Sequence, residues 1–186
     1  TCVFLTFSGA IYGLKTMEYG TSAVSHSEFF DNSNTDILVH SYDPDLDVTI
    51  EDNSIDVDDS GTGIELEGDV SGVTISDNLV VGTSDAVRGV HLGTGTSGTT
   101  PTITDNYIHS FSESEGIRID AGANPTITRN TIDTCKYGIY VSNGTPLIGT
   151  TAGDSDNTLQ YNTNGVYVTG TNSAPKLRNN EIHSNT

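Results

Sequence analysis

Positive charge is scarce in this sequence: 7 Lys+Arg stand against 25 Asp+Glu, which gives a formal net charge of −18 at pH 7. This scarcity excludes a nucleic-acid partner, because neutralising phosphates takes clustered lysine and arginine. The same charge disfavours an anionic membrane surface. No run approaches about 18 consecutive apolar residues, so we expect no membrane insertion. Cys2 and Cys135 are too few for a disulfide framework.

The first residues, TCVFLTFSGAIYGL, lack a starting methionine and a basic segment. They therefore predict a mature or excised segment rather than an intact signal peptide. Only 33% of the residues are hydrophobic, which by itself is compatible with disorder. Abundant Asn, Thr, Ser, Gly and Asp instead favour a turn-rich β protein that works outside cells. The expected location is extracellular or at the cell surface.

Internal repeats argue against disorder. A phrase of the form apolar-x-x-Asn-x-apolar recurs as TIEDNSI (49–55), TISDNLV (74–80), TITDNYI (102–108), TITRNTI (126–132) and KLRNNEI (176–182), with weaker copies at 23–29 and 156–159. The aligned column reads Ser27, Asn53, Asn78, Asn106, Asn130, Asn157 and Asn180. We expect each Asn to lie at a sharp turn in the left-handed conformation, which Asn tolerates well. Their amides can also hydrogen-bond along a column.

A second phrase, Gly-apolar-x-apolar, keeps the same period. It appears as GIEL (63–66), GVHL (89–92), GIRI (116–119), GIYV (138–141) and GVYV (165–168), with DILV (36–39) as an early variant. Units this short cannot bury an apolar face alone, so successive units must stack around one interior. The two phrases resemble the repeats of right-handed parallel β-helix proteins with the pectin-lyase-like fold, over residues 23–182. The stretch 145–159 resembles a variant with a small Gly/Thr loop inserted between two strands.

The predicted fold is all-β: a right-handed parallel β-helix solenoid of about seven coils, with three short strands per coil. Residues 1–22 form an N-terminal coil of uncertain register, and 23–186 form the β-helix, within one domain. In the first coil, VFL (3–5) is a candidate strand of the Gly-apolar-x-apolar type, and LKTMEY (14–19) is a candidate for another part.

Alternation along the Gly-apolar-x-apolar strands directs a charged set outward. This set comprises Glu65, Glu67, His91, Arg118 and Asp120. The resemblance implies that polysaccharides lie on this face, and the five residues are the catalytic candidates of a polysaccharide lyase or epimerase, which needs titratable groups within hydrogen-bond reach. The alternative is a solvated face on which these charges pair across coils. No Asp-Asp pair next to a Gly-His, as found in some enzymes of the fold, is present.

Tyr140 and Tyr167 project from adjacent coils of the same face. They are ligand-binding candidates, since two aromatic rings can form a platform for sugar rings. The alternative is that the rings stack on each other as neighbours in a sheet.

Another strand presents Thr74 and Ser76, Thr102 and Thr104, then Thr126 and Thr128. A flat Thr-x-Thr array of this kind resembles the ice-binding surface of β-helical antifreeze proteins. Threonine is, however, ordinary in strands, and charged residues break the array on both sides.

Carboxylates are concentrated between residues 43 and 69, with no Lys or Arg from Lys15 to Arg88. Stacked carboxylates repel unless a cation screens them, and calcium is the natural candidate. The predicted metal ligands are Asp43, Asp45, Asp47, Asp56 and Asp58. The run lacks the Gly and distal Glu of an EF-hand loop, and many such acidic patches are only solvated. No motif requires a cofactor, so Ca²⁺ is optional.

The two ends predict self-association. HSNT (183–186) joined to Thr1 gives a five-residue connection before Cys2, matching the spacing between Ile132 and Gly138. Copies of the chain would then stack head to tail through a non-closing contact, or the chain is a piece of a longer β-helix. The leading hypothesis is a secreted or cell-surface module with a structural, self-associating or adhesive role and a polysaccharide or cell-surface glycan as partner. A lyase or epimerase is the alternative, and an ice-binding β-helix the second alternative.

Overall fold

The computed structural model describes residues 2–3, 5–17, 21–58, 60–93, 95–120, 122–150 and 156–186. These residues form 23 β-strands joined by turns. Among the residues described, none belongs to a helix long and apolar enough to cross a membrane. Residues 151–155 of the expected Gly/Thr loop, and residues 18–19 of LKTMEY, lie outside the described ranges.

The strands form three parallel sheets. The first sheet contains, in order, β1 (Cys2–Val3), β4 (Thr21–Ser25), β7 (Asp47–Glu51), β10 (Val73–Ser76), β13 (Thr102–Thr104), β16 (Thr126–Thr128), β19 (Leu147–Ile148) and β22 (Lys176–Leu177). The second contains β2 (Thr6–Ser8), β5 (Glu28–Phe30), β8 (Ser54–Val57), β11 (Leu79–Gly82), β14 (Tyr107–His109), β17 (Thr131–Asp133), β20 (Thr158–Gln160) and β23 (Glu181–His183). The third contains β3 (Tyr12–Met17), β6 (Thr35–Ser41), β9 (Thr62–Gly68), β12 (Arg88–Leu92), β15 (Glu115–Ile119), β18 (Tyr137–Ser142) and β21 (Asn164–Thr169).

Each coil contributes one strand to each sheet, and every strand pairs in parallel with the equivalent strands of the coils before and after it. The chain therefore completes seven coils, and β22 and β23 begin an eighth. This arrangement confirms the all-β parallel β-helix with three strands per coil.

The interior consists of stacked aliphatic columns. In the third sheet, Ile64, Val90, Ile117 and Ile139 pair in register, and all are fully buried. Burying one such side chain contributes about 1.5–3 kcal/mol. Because each strand has only two or three inward positions, no single coil can bury its apolar face, and stacking supplies the core.

A ladder of buried asparagines runs along the corner between the first and second sheets. The Asn78 Nδ2 donates to Asn106 Oδ1 at 3.0 Å, and the Asn106 Nδ2 donates to Asn130 Oδ1 at 2.9 Å. The same Oδ1 atoms accept the backbone N–H of the preceding coil. The ladder continues without a break from Asn53 to Asn180, so the stacked asparagine column is confirmed.

The left-handed conformation was predicted for the wrong residue. It belongs to the residue before five of the ladder asparagines, as in Asp77 (φ 56°), Asp105 (φ 60°) and Arg129 (φ 57°). The sharp bend at that residue turns the following Asn inward, where its amide bonds to the backbone of the preceding strand. The side chain in the left-handed position faces solvent, which explains why charged residues are tolerated there.

The assignment of residues 3–5 to a strand of the Gly-apolar-x-apolar type was also wrong. Cys2 and Val3 pair with Val24 and Ser25 in the first sheet, and the third-sheet strand of the first coil is β3, which pairs with β6. The last strand, β23, belongs to the second sheet. The predicted join of tail to head therefore placed the first strand in the wrong sheet, because a two-residue strand carries too little pattern to choose between sheets.

A carboxylic acid, Asp36, lies inside the solenoid. Asp36 occupies the strand position that is glycine in later coils, where a Cβ built on Gly63 would meet the core atoms Val57 Cγ2 and Val80 Cγ1 at 3.0 Å. Asp36 is 1% exposed, and its Oδ1 accepts a hydrogen bond of 2.9 Å from Asn32 Nδ2. Burial raises the pKa of Asp36 to about 7 against the opposing hydrogen bond from Asn32. The nearby carboxylates of Asp58 and Asp56 raise this pKa further.

Candidate functional site

The outward surface of the third sheet, from β6 to β21, carries most of the residues that the sequence singled out. We call it the third-sheet face. Its central column aligns Leu38, Glu65, His91, Arg118, Tyr140 and Tyr167 on successive coils. Glu67 and Asp120 lie in the next column, beside Glu65 and Arg118. The seven catalytic and ligand-binding candidates therefore share one continuous surface, although their roles remain predictions.

His91 is the centre of the charged part of this face. Its Nδ1 lies 3.1 Å from Glu65 Oε1 on the preceding coil, and its Nε2 lies 3.2 Å from Asp120 Oδ2 on the following coil. Ionised carboxylates only accept hydrogen bonds, so both ring nitrogens must carry a proton. Although burial lowers it, hydrogen bonds to Asp120 and Glu65 raise the pKa of His91.

Gly93 allows the imidazole to bridge the two carboxylates. A Cβ built on Gly93 would approach His91 Cε1 to 3.0 Å, so any larger side chain would displace the ring. The glycine therefore positions His91 diagonally across two columns, with Glu65 on one side and Asp120 on the other.

Arg118 extends the network toward the tyrosines. Its Nε donates to Asp120 Oδ2 at 2.7 Å, and its Nη1 donates to Glu115 Oε1 at 3.1 Å. The guanidinium carbon also lies 4.6 Å from the centre of the Tyr140 ring, which is the geometry of a cation–π contact. Arg118 is thus held by contacts on three sides.

The charge states of the cluster are fixed by these bonds. The hydrogen bond from His91 lowers the pKa of Glu65 despite partial burial. Burial would raise the pKa of Asp120, but hydrogen bonds from His91 and Arg118 lower it to about 2. Burial lowers the pKa of Arg118, but Asp120 and Glu115 raise it by more, so it lies above its ordinary value. Both carboxylates and Arg118 stay ionised at neutral pH, and none of these three is poised to exchange a proton there.

The two predicted tyrosines stack on each other. Tyr140 and Tyr167 have ring centres 5.3 Å apart with an interplanar angle of 26°. Tyr140 is therefore covered by Arg118 on one side and by Tyr167 on the other. Tyr167 is 39% exposed, and its far side is the only tyrosine face of this column that stays open within the described residues. Both sides of the Tyr140 ring are thus occupied by stacking, whereas the Tyr167 ring keeps one side on which a ligand can pack.

Alternation did not predict a third column of the face. Arg88, Glu115 and Tyr137 lie directly before the glycines of their phrases and pair in register. Glu115 bonds Arg118 and lies 3.7 Å from Arg88 Nε, and Tyr137 contacts Tyr167 at 4.8 Å between ring centres. Strict alternation fails because the strand bends at each glycine, so that both the glycine and the next residue face inward. The polar or aromatic residue before each glycine was the sequence signal that could have predicted this column.

The structure does not gather the predicted metal ligands into one cluster. Asp43 and Asp45 lie in the turn after β6, where the Asp45 N–H bonds Asp43 Oδ1 at 3.1 Å, and Asp47 begins β7. Asp56 lies on β8 of the second sheet, and Asp58 accepts the Asp31 N–H at 2.8 Å. Among the described residues, no three or more His, Cys, Asp or Glu lie where they could hold one metal ion. Calcium binding therefore stays a prediction.

The threonine array is in register but only partly exposed. Thr74, Thr102 and Thr126 pair across three coils. In the second rank, Thr104 and Thr128 are buried, and their hydroxyl oxygens bond each other at 3.1 Å. An ice-binding surface needs both ranks of hydroxyls open to solvent, so this geometry does not favour it.

Comparison with known proteins gives one finding. Residues 5–151 match a family model described as periplasmic copper-binding protein (NosD). Neither a curated protein nor a solved structure gives a significant match. The matched residues extend from β2 to β19 and so cover the first six coils apart from β1. They include the charged cluster of the third-sheet face and Tyr140.

Proposed function

The chain belongs to the NosD family of periplasmic proteins, and from this premise we propose that it is a β-helix module outside the cytoplasm that binds a glycan on the third-sheet face. The carrying observation is the unbroken chain of contacts from Glu65 through His91 and Asp120 to Arg118, and on through Tyr140 to Tyr167. Carboxylates, a guanidinium and an open aromatic ring on one rigid surface are the groups that sugar hydroxyls and sugar rings contact.

Rigidity supports binding rather than catalysis. A lyase or epimerase needs a group that gains or loses a proton near neutral pH. Although burial lowers its pKa, Arg118 is held here by two carboxylates that raise it, and Asp120 has a pKa of about 2. His91 is the remaining titratable candidate, but Glu65 and Asp120 occupy both of its ring nitrogens, so neither nitrogen is open to a substrate. A face of locked ion pairs loses little conformational entropy when a ligand binds, which favours affinity.

The family description names copper, yet the described residues do not fit a copper site. Copper prefers imidazole and sulfur ligands. The Cys135 thiol is buried in the core, and burial raises its pKa to about 12, so it stays protonated. His91 already bonds a carboxylate through each ring nitrogen. The proposal therefore includes no copper.

Adhesion and end-to-end association of copies are further parts of the proposed role. The last coils leave Val168, Leu177 and Ile182 44–46% exposed, although the equivalent positions of earlier coils are buried. An apolar rim of this kind would be covered by stacking on another β-helix. Analytical ultracentrifugation over a range of protein concentrations tests this part separately.

Glycan binding is tested by affinity electrophoresis of the purified chain in gels that contain soluble polysaccharides. Replacing Tyr167→Ala removes the open ring and is expected to weaken binding about tenfold, as for an aromatic anchor residue. Tyr107→Ala is the matched control, because Tyr107 is 42% exposed on the second sheet against 39% for Tyr167. Equal losses in both variants would contradict the proposed face. Release of unsaturated sugars would instead favour the lyase, and inversion of a uronate carbon without chain cleavage would favour the epimerase.

A further inference from the structure

The two cations at the centre of the third-sheet face, His91 and Arg118, are already paired. Arg118 bonds Asp120 and Glu115, and His91 bonds Glu65 and Asp120. Arg88 Nε lies 3.7 Å from Glu115 Oε2 but has no hydrogen-bond partner among the described residues. A carboxylate of an acidic sugar would have to displace one of the bonded carboxylates to reach His91 or Arg118. Displacement leaves a partly buried carboxylate without its partner, which is unfavourable.

Carboxylate oxygens, in contrast, remain available. Asp120 accepts its hydrogen bonds through Oδ2, and Glu67 accepts one from His40 through Oε2 at 2.8 Å. Within the described residues, Asp120 Oδ1 and Glu67 Oε1 have no hydrogen-bond partner. Both side chains are about a quarter exposed, at 26% and 28%. These two oxygens lie on opposite sides of Gly93, where they can accept hydrogen bonds from hydroxyl groups of a ligand.

The surrounding charge opposes an acidic ligand as well. The chain has a formal net charge of −18. That total includes four carboxylates of this face, Glu65, Glu67, Glu115 and Asp120, against its two arginines, Arg88 and Arg118. At its rim, the Lys136 ammonium lies 5.7 Å from the centre of the Tyr137 ring. One rim lysine does not reverse a field of this sign, so a polyanion would approach against repulsion.

From these contacts we infer that the glycan bound by the third-sheet face is a neutral polysaccharide, not a uronate. This inference rests on the proposed function and specifies its ligand class. Hydroxyl groups of the sugar donate to Glu67 Oε1 and Asp120 Oδ1, and a sugar ring packs on the open side of Tyr167. Recognition then depends on hydrogen bonds and ring packing, which salt screens little.

The test measures equilibrium binding of the purified chain by isothermal titration calorimetry at 50 mM and 500 mM NaCl. The ligands are soluble xylan free of glucuronate side groups as the neutral polysaccharide, polygalacturonate and alginate as polyanions, and chitosan as a polycation. Xylan is expected to bind, with an affinity that changes less than about twofold between the two salt concentrations. Preferred binding of a polyanion would overturn the inference while leaving the proposed function intact. Binding of chitosan alone, lost at high salt, would also overturn it, because that behaviour reflects bulk charge.

Glu67→Gln separates hydrogen bonding from repulsion at a single position. For a neutral ligand, loss of a charged acceptor should weaken binding about tenfold. Because the carboxylate also repels an acidic ligand, the same variant should leave binding of polygalacturonate unchanged or strengthen it. Unchanged binding of xylan together with weaker binding of polygalacturonate would overturn the inference. Glu28→Gln, on the exposed surface of the second sheet, is the matched control and should change neither affinity. If no polysaccharide binds the wild-type chain, the proposed function fails and the ligand class fails with it.

Discussion

The two corners that flank the second sheet hold the chain together in different ways. At the corner before it, an asparagine from each coil bonds the asparagine of the next, from Asn53 to Asn180. At the corner after it, the interior position changes identity from coil to coil, and is Asn32, Phe111, Cys135 or Asn162. The first corner uses the same asparagine hydrogen bonds in successive coils, whereas the second combines apolar packing with separate hydrogen bonds.

The second corner shows how packing replaces the ladder. The Phe111 ring occupies space left by two glycines, since a Cβ on Gly82 would meet Phe111 Cδ1 at 2.7 Å and one on Gly89 would meet Phe111 Cε2 at 3.2 Å. The comparison teaches that backbone groups at a corner can be satisfied locally, but only a continuous ladder couples every coil to its neighbours. We therefore expect mutations at the first corner to be the more damaging.

Asn106→Ala tests this expectation with the largest effect. Asn106 donates to Asn130 Oδ1, Ile75 O and Thr104 O, and it accepts from Asn78. Removing the amide leaves several buried partners unpaired, so the free energy of unfolding should fall by about 3–5 kcal/mol. Urea denaturation followed by circular dichroism measures the change.

The control for this prediction is Asn180→Ala. Asn180 accepts from Asn157 and donates to Ile148 O, and it is only partly buried. Fewer bonds and more water should reduce its effect to about half or less of that of Asn106→Ala. Similar losses at the two positions would show that the ladder does not act as a coupled column.

Asp36→Asn is expected to change stability mainly above neutral pH. The pKa of Asp36 is about 7 in the folded state against an ordinary value of 3.8, so ionisation disfavours folding. The wild-type chain should lose stability as the pH rises from about 4 through 7, on the order of 3 kcal/mol between pH 5 and pH 8. Asparagine keeps a group that Asn32 can bond and removes this loss.

Melting temperatures at pH 5 and pH 8 check the prediction. Asp56→Asn is the matched control, since Asp56 lies on β8, is exposed, and affects Asp36 only through space. It should reduce the pH dependence slightly, whereas Asp36→Asn should remove the part that Asp36 causes. A smaller loss with rising pH should remain from His91, whose pKa is also raised in the folded chain. An unchanged pH dependence in Asp36→Asn would place the titrating group elsewhere.

Cys135→Ala should have a smaller effect, because the second corner relies on local contacts. The thiol is 2% exposed and donates to Asp133 O at 3.2 Å. Loss of one sulfur atom from the core should cost about 1–2 kcal/mol. Burial raises the pKa of Cys135 to about 12, so its alkylation at pH 8 should require unfolding and be slow. Rapid labelling of the native chain would contradict this burial.

Arg129→Ala should have the smallest effect. Arg129 lies on the outer side of the first corner and bonds Asp105 through Nε and Nη2, both at 2.7 Å. These bonds lower the pKa of Asp105, but the arginine side chain is 56% exposed. An exposed pair contributes about 0.5 kcal/mol, and less at high salt. A loss above about 1 kcal/mol in thermal melts would show that the solvent side of the corner also supports the ladder.

Much of the fold could be predicted because the same residue types recur at structurally equivalent positions of successive coils. A ladder position demands an amide, so Asn78, Asn106 and Asn130 recur with the coil period. The first coil lacks both phrases, and two-residue β1 gave no basis for choosing a sheet. The burial of Asp36 was not predicted, because DILV otherwise fits the apolar pattern. The inward direction of the Asp36 side chain depends on the strand bend that glycine makes in other coils.

The third-sheet face was predictable where strands alternate strictly. Glu65, His91 and Arg118 follow from the period of two combined with the coil repeat. Arg88, Glu115 and Tyr137 were not predicted, because the strand bends at the glycine that follows each of them. Pairing of these charges across coils was the alternative that the sequence offered, and the bonds of His91 to Glu65 and Asp120 agree with it. Which atoms meet could not be predicted, since that depends on side-chain directions across three coils.

The asparagine ladder has a direction. In every amide–amide bond of the ladder the donor Nδ2 belongs to the earlier coil and the acceptor Oδ1 to the following one. A duplicated coil inserted at any rung would find a donor on one side and an acceptor on the other, whereas a reversed unit would set like groups against each other. Gene duplication could thus lengthen this molecule by whole coils without changing the hydrogen bonds between coils, as long as each added coil ran in the same direction.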